Sequence, residues 1–270
     1  MNSHDTRIEH HDHEAADAEW RRALMEGDPT PRRIRRLFRL LPSSPRCKLC
    51  NSPFKGWGSV VMRLIGRRQS RKNPSYCEPC AFQQPGGAEV ELSMLFADVR
   101  GSTTIAEGMP PAEYSRFIER FYADATDILV REDALIDRLA GDQVVALFVP
   151  GFAGSAHASR AVRAARALLH KARDLSIRST LLPIGVGVHT GRAFVGVVSS
   201  GIAGLSDFTM LGDDVNVTAR LASAASAGEI LISDAALSAS GEDSRELEHR
   251  VLQLKGKSVE IKATVKTVRG

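Results

Sequence analysis

The sequence predicts an α+β fold, a mixed sheet with helices over a face, preceded by a small metal-stapled module. Three observations predict it. Apolar strand-like runs and helical repeats interleave with hairpin signals from residue 90 onward, which argues against a parallel doubly wound sheet. The 270 residues are 43% hydrophobic and 25% charged, an ordinary globular composition that excludes collagen-like and fully disordered chains. All four cysteines fall in two Cys-x-x-Cys pairs, Cys47/Cys50 and Cys77/Cys80.

Taken in order, residues 1–29 read as a polar tail and a short helix. The tail carries His4, His10, His11 and His13 with nothing to fix a metal geometry. Glu14 to Glu26 reads as a helix ended by Gly27, and Thr30-Pro31 reads as an N-cap followed by proline in the first turn. The stretch from Pro31 to Leu41 then places Ile34, Leu37, Phe38 and Leu41 on one face among arginines. Such a basic amphipathic helix suits packing on the next module, weak contact with an anionic membrane surface, or nucleic acid.

The module of residues 30–86 contains the cysteine pairs. Each pair lets two thiolates reach one metal from a tight turn, and two pairs complete a tetrahedral site. Structural Zn²⁺ is the expected occupant, with an iron–sulfur cluster or two disulfides as alternatives. Lys55, Arg63, Arg67, Arg68, Arg71 and Lys72 lie between the pairs, where cations offset the negative charge of a four-thiolate site. The net charge of +4 is segregated: residues 31–80 hold 13 basic side chains against the single acid Glu78, and residues 81–270 hold 20 against 23.

Gln83 to Gly87 form a turn-rich link into a domain spanning residues 87–270. Leu92 to Ala97 reads as a strand buried on both faces. Tyr114, Phe117, Ile118, Phe121, Ala125, Ile128 and Leu129 follow at helical spacing. Ala134 to Val149 reads as a hairpin turning between Ala140 and Gln143. Ala158, Val162, Ala165, Leu169 and Ala172 mark a second helix. Pro183 to Val198 reads as a second hairpin turning at Thr190-Gly191. A helix from about Asp214 to Ala225, a strand Glu229 to Ser233 and two weak strands near 251–254 and 259–265 complete the domain. The longest apolar stretch, Leu181 to Val198, is interrupted by His189 and Arg192, and the N-terminus has no apolar leader region, so a cytoplasmic location is expected.

The chemistry-bearing residues sit at the edges of these elements. Asp98 ends the first buried strand and leads into a Gly-Ser-Thr turn, where a carboxylate suits a cation and the N–H groups near Ser102 and Thr103 suit phosphate. Asp142 lies at the turn of the first hairpin. Helix capping and turn chemistry explain each acid alone, but two carboxylates at strand edges near one hairpin are how magnesium is usually held. Asn216 and Arg220, four apart on a helix, share a face: Asn suits a ribose oxygen and the Arg fork a phosphoryl oxygen. A solvated surface pair is the bland alternative.

The blocks LFADVRGST, RLAGDQVVALF, GVGVHTGRAFVG and DFTMLGDDVNVTARLASAASAGEILIS, in this order, resemble the catalytic domain of the class III adenylate/guanylate cyclases over roughly residues 90–268. The cysteine module ahead of them is similar to an arrangement in a bacterial branch of that family. The resemblance implies a ferredoxin-like (palm) catalytic domain that cyclises a nucleoside triphosphate. It implies two Mg²⁺ or Mn²⁺ ions on Asp98, Asp142 and the Val99 carbonyl, with Asn216 and Arg220 as the transition-state pair. Thr209 falls at the purine-recognising position, and Thr there resembles adenylate cyclases of a bacterial subgroup. Arg192 and Lys255 fall at phosphate-contacting positions, with Lys257 as a substitute for the latter. The family's base-recognising Lys is here Arg138, which keeps the charge but is longer and planar, so it bears on substrate choice and rate.

The resemblance also implies a homodimer with shared sites, making 3′,5′-cyclic AMP and pyrophosphate from ATP. GTP or pyrimidine specificity, a degenerate nucleotide-binding regulator and a zinc-ribbon nucleic-acid binder are the competing readings. The acidic balance of residues 81–270 and their lack of an aromatic strip argue against a nucleic-acid partner.

Overall fold

The computed structural model describes residues 17–27, 37–38, 40–41, 45–48, 50–71, 73–81, 86–174, 176–177, 180–199, 206–243, 247–253 and 260–267. The His-rich tail, most of the basic helix of residues 31–41, and Lys255 and Lys257 lie outside these. The chain divides into two compact units, one of residues 1–90, 150–152 and 193–211 and one of residues 91–149, 153–192 and 212–270.

The second unit is built on β1 (Gly86–Val99), β2 (Leu135–Ala140), β3 (Gln143–Phe148), β6 (Ile184–Ser199), β8 (Glu229–Ser233), β9 (Glu248–Leu252) and β10 (Ile261–Thr267), in the sheet order β2-β3-β1-β6-β8-β10-β9. A separate two-stranded ribbon joins β4 (Ser176–Ile177) and β5 (Thr180–Leu181). Strand alternation sends Leu95, Ala97, Val99, Ile230 and Ile232 to one face. There they bury Phe117, Phe121, Ala125 and Leu129 of α5 (Pro111–Arg131), Ala161, Ala165 and Leu168 of α7 (His157–Asp174), and Ala236 of α9 (Asp234–Ser240). Helix α5 carries its apolar residues at the spacing that predicted it, opens after Pro110 with Pro111 in its first turn, and ends at Glu132.

The expected mixed sheet with helices over a face is observed, and a further helix covers its other face. Leu231 points opposite to Ile230 and Ile232, and with Ala263 and Val265 it packs on Val217, Leu221 and Ala225 at α8 (Asp213–Ala224), so the sheet is covered on its second face as well. The second expected hairpin is overturned. β6 runs unbroken through Thr190-Gly191, parallel to β8 over Val186 to Val188, and the true hairpin is formed farther on with β7 (Ser206–Leu211). Gly191 serves close approach instead of a turn: a Cβ there would stand 2.2 Å from Asp214 Oδ2.

The first unit holds the helix at 17–26 (α1), the thiol module with α2 (Gly56–Leu64) and α3 (Glu78–Ala81), the start of β1, the end of β6, and β7. Buried Trp20 of α1 stacks on Phe208 of β7, with ring centroids 6.4 Å apart. Tyr76 is buried edge-on against Phe152 at 5.0 Å. α4 (Ser102–Glu107) and α6 (Pro150–Ala153) are short connecting helices. Among the described residues no helix is long and apolar enough to cross a membrane.

Candidate active site

Antiparallel pairing of β1 with β3 sets Asp98 opposite Gln143, one residue after Asp142, and the Val99 N–H donates to the Asp142 carbonyl at 3.2 Å. Both aspartates therefore stand at one end of adjacent strands. The β2–β3 turn that presents Asp142 has Gly141 at φ +63°, a conformation costly for other residues, and Tyr122 Oη of α5 donates to the Gly141 carbonyl at 2.8 Å. Burial, and to a smaller degree the charge of Asp142, push the Asp98 carboxyl above its ordinary pKa, while the Arg100 guanidinium pulls it down. Two half-buried like charges at a strand end form a donor set suited to a hard divalent cation.

Arg100, which the sequence reading passed over, ion-pairs with Asp98. Its Nη1 also donates to the Ser223 carbonyl at the end of α8 at 2.9 Å, and its backbone N–H donates to the Pro183 carbonyl at 2.6 Å. One side chain thus links the carboxylate to the helix that carries Asn216 and Arg220. On that helix Val217, Thr218 and Leu221 are buried, which leaves Asn216 exposed and Arg220 half-buried. Arg220 Nη1 is buried with no hydrogen-bond partner among the described residues, a donor available to an anion.

The start of α8 is fixed by a contact that the sequence pattern did not flag. Asp214 Oδ2 accepts the Arg192 backbone N–H at 2.7 Å, and Asp214 Oδ1 lies 3.3 Å from His189 Nε2. His189 Nδ1 in turn bonds Ser233 Oγ of β8 at 2.7 Å. The only sequence signal for this was Gly191, whose missing side chain makes room for the Asp214 carboxylate.

The remaining expected residues are distributed as follows. Val99 is buried behind Asp98; Ser102 is half-buried and Thr103 exposed at the start of α4. Arg138 is exposed on β2 beside a register shift, and its Nε donates to the buried Asp137 at 2.7 Å. Arg192 carries its side chain outward from β6. Thr209 sits on β7 opposite Gly196, in the first unit.

The four thiols form a second centre, within the first unit. Cys47, Cys50, Cys77 and Cys80 are buried, with all four Sγ atoms within 4.8 Å of one another. The Cys50–Cys77 Sγ separation is 3.6 Å, far beyond a disulfide bond of about 2.05 Å but near the roughly 3.8 Å edge of a tetrahedron with zinc–sulfur distances of about 2.3 Å. All four cysteines are free, so the disulfide alternative is overturned. Asn51 at φ +64° turns the first knuckle, and the Cys77 N–H donates to Cys47 Sγ at 3.4 Å. Hydrogen bonds from Cys50, Cys77 and Cys80 hold the Cys47 thiol far below its ordinary pKa. Cys77 and Cys80 are pushed up, chiefly by their hydrogen bonds to Cys47. Arg67 Nη1 stands 3.7 Å from both Cys77 and Cys80 Sγ, where a cation offsets thiolate charge.

The model of the adenylate and guanylate cyclase catalytic domain matches residues 87–267. The chain belongs to the class III cyclase family. Among curated relatives, an adenylate cyclase of Anabaena cylindrica is 33% identical over 134 residues, which cover 48% of this chain and 26% of that protein. Adenylate cyclase 1 of Rhizobium meliloti (strain 1021) is 32% identical over 136 residues, covering 48% of this chain and 20% of that one. The match therefore spans about a quarter or less of these relatives' length. Among solved structures, the guanylyl cyclase Cya2 superposes with a TM-score of 0.62 at 26% identity, covering 68% of this chain and 95% of that one. The adenylyl cyclase CyaB from P. aeruginosa gives 0.60 at 26% identity, covering 68% and 97%. The cyclase fold is thus an α+β domain with a central sheet, and the thiol cluster is an N-terminal addition to it.

Proposed function

We propose that this cyclase is a cytoplasmic adenylate cyclase, converting ATP to 3′,5′-cyclic AMP and pyrophosphate. One observation carries the reading: β1–β3 pairing puts Asp98 and Asp142 at one strand end as a pair of carboxylates suited to divalent cations, and α8 offers an Arg220 Nη1 with no hydrogen-bond partner among the described residues. In the reaction the ribose 3′-oxygen bonds to the α-phosphorus, the bond from that phosphorus to the pyrophosphate oxygen breaks, and the hydroxyl proton passes to solvent water. No protein nucleophile is required; positioning and charge neutralisation are.

Each residue then has a task. Asp98, Asp142 and the Val99 carbonyl would hold two Mg²⁺ or Mn²⁺ ions, which when bound would supply charge neutralisation for the triphosphate and acidify the 3′-hydroxyl. Arg220 stabilises the charge that builds on the α-phosphoryl oxygens, and Asn216 orients the ribose. Thr209 and Arg138 select the purine; Arg192, Lys255 and the Ser102–Thr103 turn contact phosphates. In the family the aspartates and the Asn/Arg pair come from opposite protomers, which supports a homodimer with two shared sites. A four-thiolate Zn²⁺ staples the N-terminal module.

GTP is the second reading, favoured by the 26% identity to guanylyl cyclase Cya2. Incubating purified protein with Mg²⁺ or Mn²⁺ and each of ATP, GTP, CTP and UTP, with products identified by mass, tests both. Cyclic AMP as the main product is expected; cyclic GMP alone moves the specificity to GTP, and no cyclic product from any nucleotide sinks the enzyme reading.

A further inference from the structure

Helix α2 lies between the two cysteine pairs and turns only a narrow side to its own module. Gly58, Ser59 and Met62 are its buried residues. Trp57, Val60, Val61 and Leu64, with Ile65 just beyond its end, are exposed, Trp57 at 66% and Leu64 at 83%. At about 100° per residue these five positions share an arc of about 140°, opposite the buried one. Water-facing aliphatic side chains scattered singly need no explanation, but five on one continuous face headed by a tryptophan form a contact patch.

The surroundings of the patch select its partner. Lys55, Arg63, Arg68 and Arg71 are exposed before, beside and after it. Across residues 31–80 there are 13 basic side chains and one acidic one. A second copy of the module would bring like charge against like charge, which opposes self-association through this face. Nucleic acid would match the charge but has no use for five apolar groups that hydrogen-bond nothing. An anionic lipid surface satisfies both features: headgroup charge meets the cations while the apolar arc enters the acyl boundary, with tryptophan at the depth it favours.

We propose that α2 and its basic rim dock the protein on an anionic bilayer, lying in the interface plane without crossing it. This site is separate from the proposed catalysis, and its test does not depend on which nucleotide is used. The full chain is sedimented with vesicles of phosphatidylcholine alone and of phosphatidylcholine with phosphatidylglycerol, over a range of salt. Trp57 emission is followed in a Trp20→Phe background, with brominated acyl chains as depth quenchers. Binding to the anionic vesicles should be at least about tenfold tighter than to neutral ones and should weaken with salt. Trp57 emission should shift to the blue and be quenched. Leu64→Asp, a change at a solvent-facing position, should lower the partition coefficient about tenfold or more while metal content and nucleotide turnover stay unchanged. Equal or absent binding to the two vesicle types overturns the proposal, as does binding that Leu64→Asp leaves intact. Binding with unshifted, unquenched Trp57 also overturns it, leaving headgroup electrostatics alone. Concentration-dependent self-association that Leu64→Asp abolishes, without vesicle binding, assigns the patch to a second copy instead.

Discussion

Asp214 and His189, which come from α8 and β6, face each other at 3.3 Å, and the same carboxylate accepts the Arg192 N–H at 2.7 Å. The pair fixes the first turn of α8, a turn that itself carries Asn216 and is followed one turn on by Arg220. Removing the carboxylate frees that turn, and a displacement of about 1 Å in a positioning group costs up to about 10²-fold in rate. Asp214→Ala should lower kcat by about 10–100-fold with a smaller change in KM, measured by steady-state cyclase kinetics.

Gly191→Ala tests the same contact from the strand side. Its Cβ would meet Asp214 Oδ2 at 2.2 Å and His189 Nε2 at 2.8 Å, so the carboxylate must move. The rate loss should resemble that of Asp214→Ala, and the double variant should be little worse than either alone. Additive losses would show that the glycine and the aspartate act independently.

Shared sites make a stoichiometric prediction. Asp98→Ala and Arg220→Ala chains should each be inactive by at least about 10³-fold. Mixed and allowed to exchange, random pairing makes half the dimers mixed, each with one intact site, so activity should return to about one quarter of the original. No recovery at any mixing ratio would place all four groups within one protomer.

The thiol centre predicts one metal ion per chain, zinc by elemental analysis, and four thiols titratable only after denaturation or chelation. Cys50→Ser should lose the ion and cost the module about 3 kcal/mol or more in stability, read as a separate early transition in thermal melting. A visible charge-transfer absorption with bound iron would replace zinc by an iron–sulfur cluster.

At the far edge of the sheet, Arg250 Nη1 and Nη2 each donate to Glu229 at 2.9 Å. These bonds hold the Glu229 carboxyl below its ordinary pKa. A carboxylate with a depressed folded-state pKa adds stability above the unfolded-state value and loses it as the pH falls through the folded one. With Arg250 partly open to solvent, Arg250→Gln should cost about 1 kcal/mol near pH 7. The gap between variant and parent melting temperatures should close as the pH falls below the usual glutamate range. A gap independent of pH would assign the loss to packing.

Much of the proposed site is legible in the chain because its signals are local. Asp98 closes an apolar strand and Asp142 occupies a turn marked by glycine, so both positions follow from short-range pattern. Asn216 and Arg220 share a helix face by spacing alone. Arg100 and Asp214 gave no such signal, since their roles depend on partners at Ser223 and Arg192, which lie far away in sequence for Arg100 and across a strand for Asp214. Thr190-Gly191 misled for a related reason: glycine marks both turns and close approaches, and only the neighbouring α8 shows which. Helix α2 and its exposed face gave no signal of their own, because which side of it meets water depends on what the thiol module buries, Gly58, Ser59 and Met62.

By itself, the sequence determined the first buried strand, the first hairpin, the longer helices, the paired cysteines, and the placing of the two carboxylates and of the Asn/Arg pair on these elements, since each rests on periodicity or spacing within about a dozen residues. Tertiary structure decided that β6 runs straight through its glycine, that α8 covers the second face of the sheet, and that four thiols converge within 4.8 Å. It also decided that five apolar residues on and just beyond α2 stay in water. These depend on which surfaces compete successfully for burial, a property of the packed chain as a whole that no local window contains.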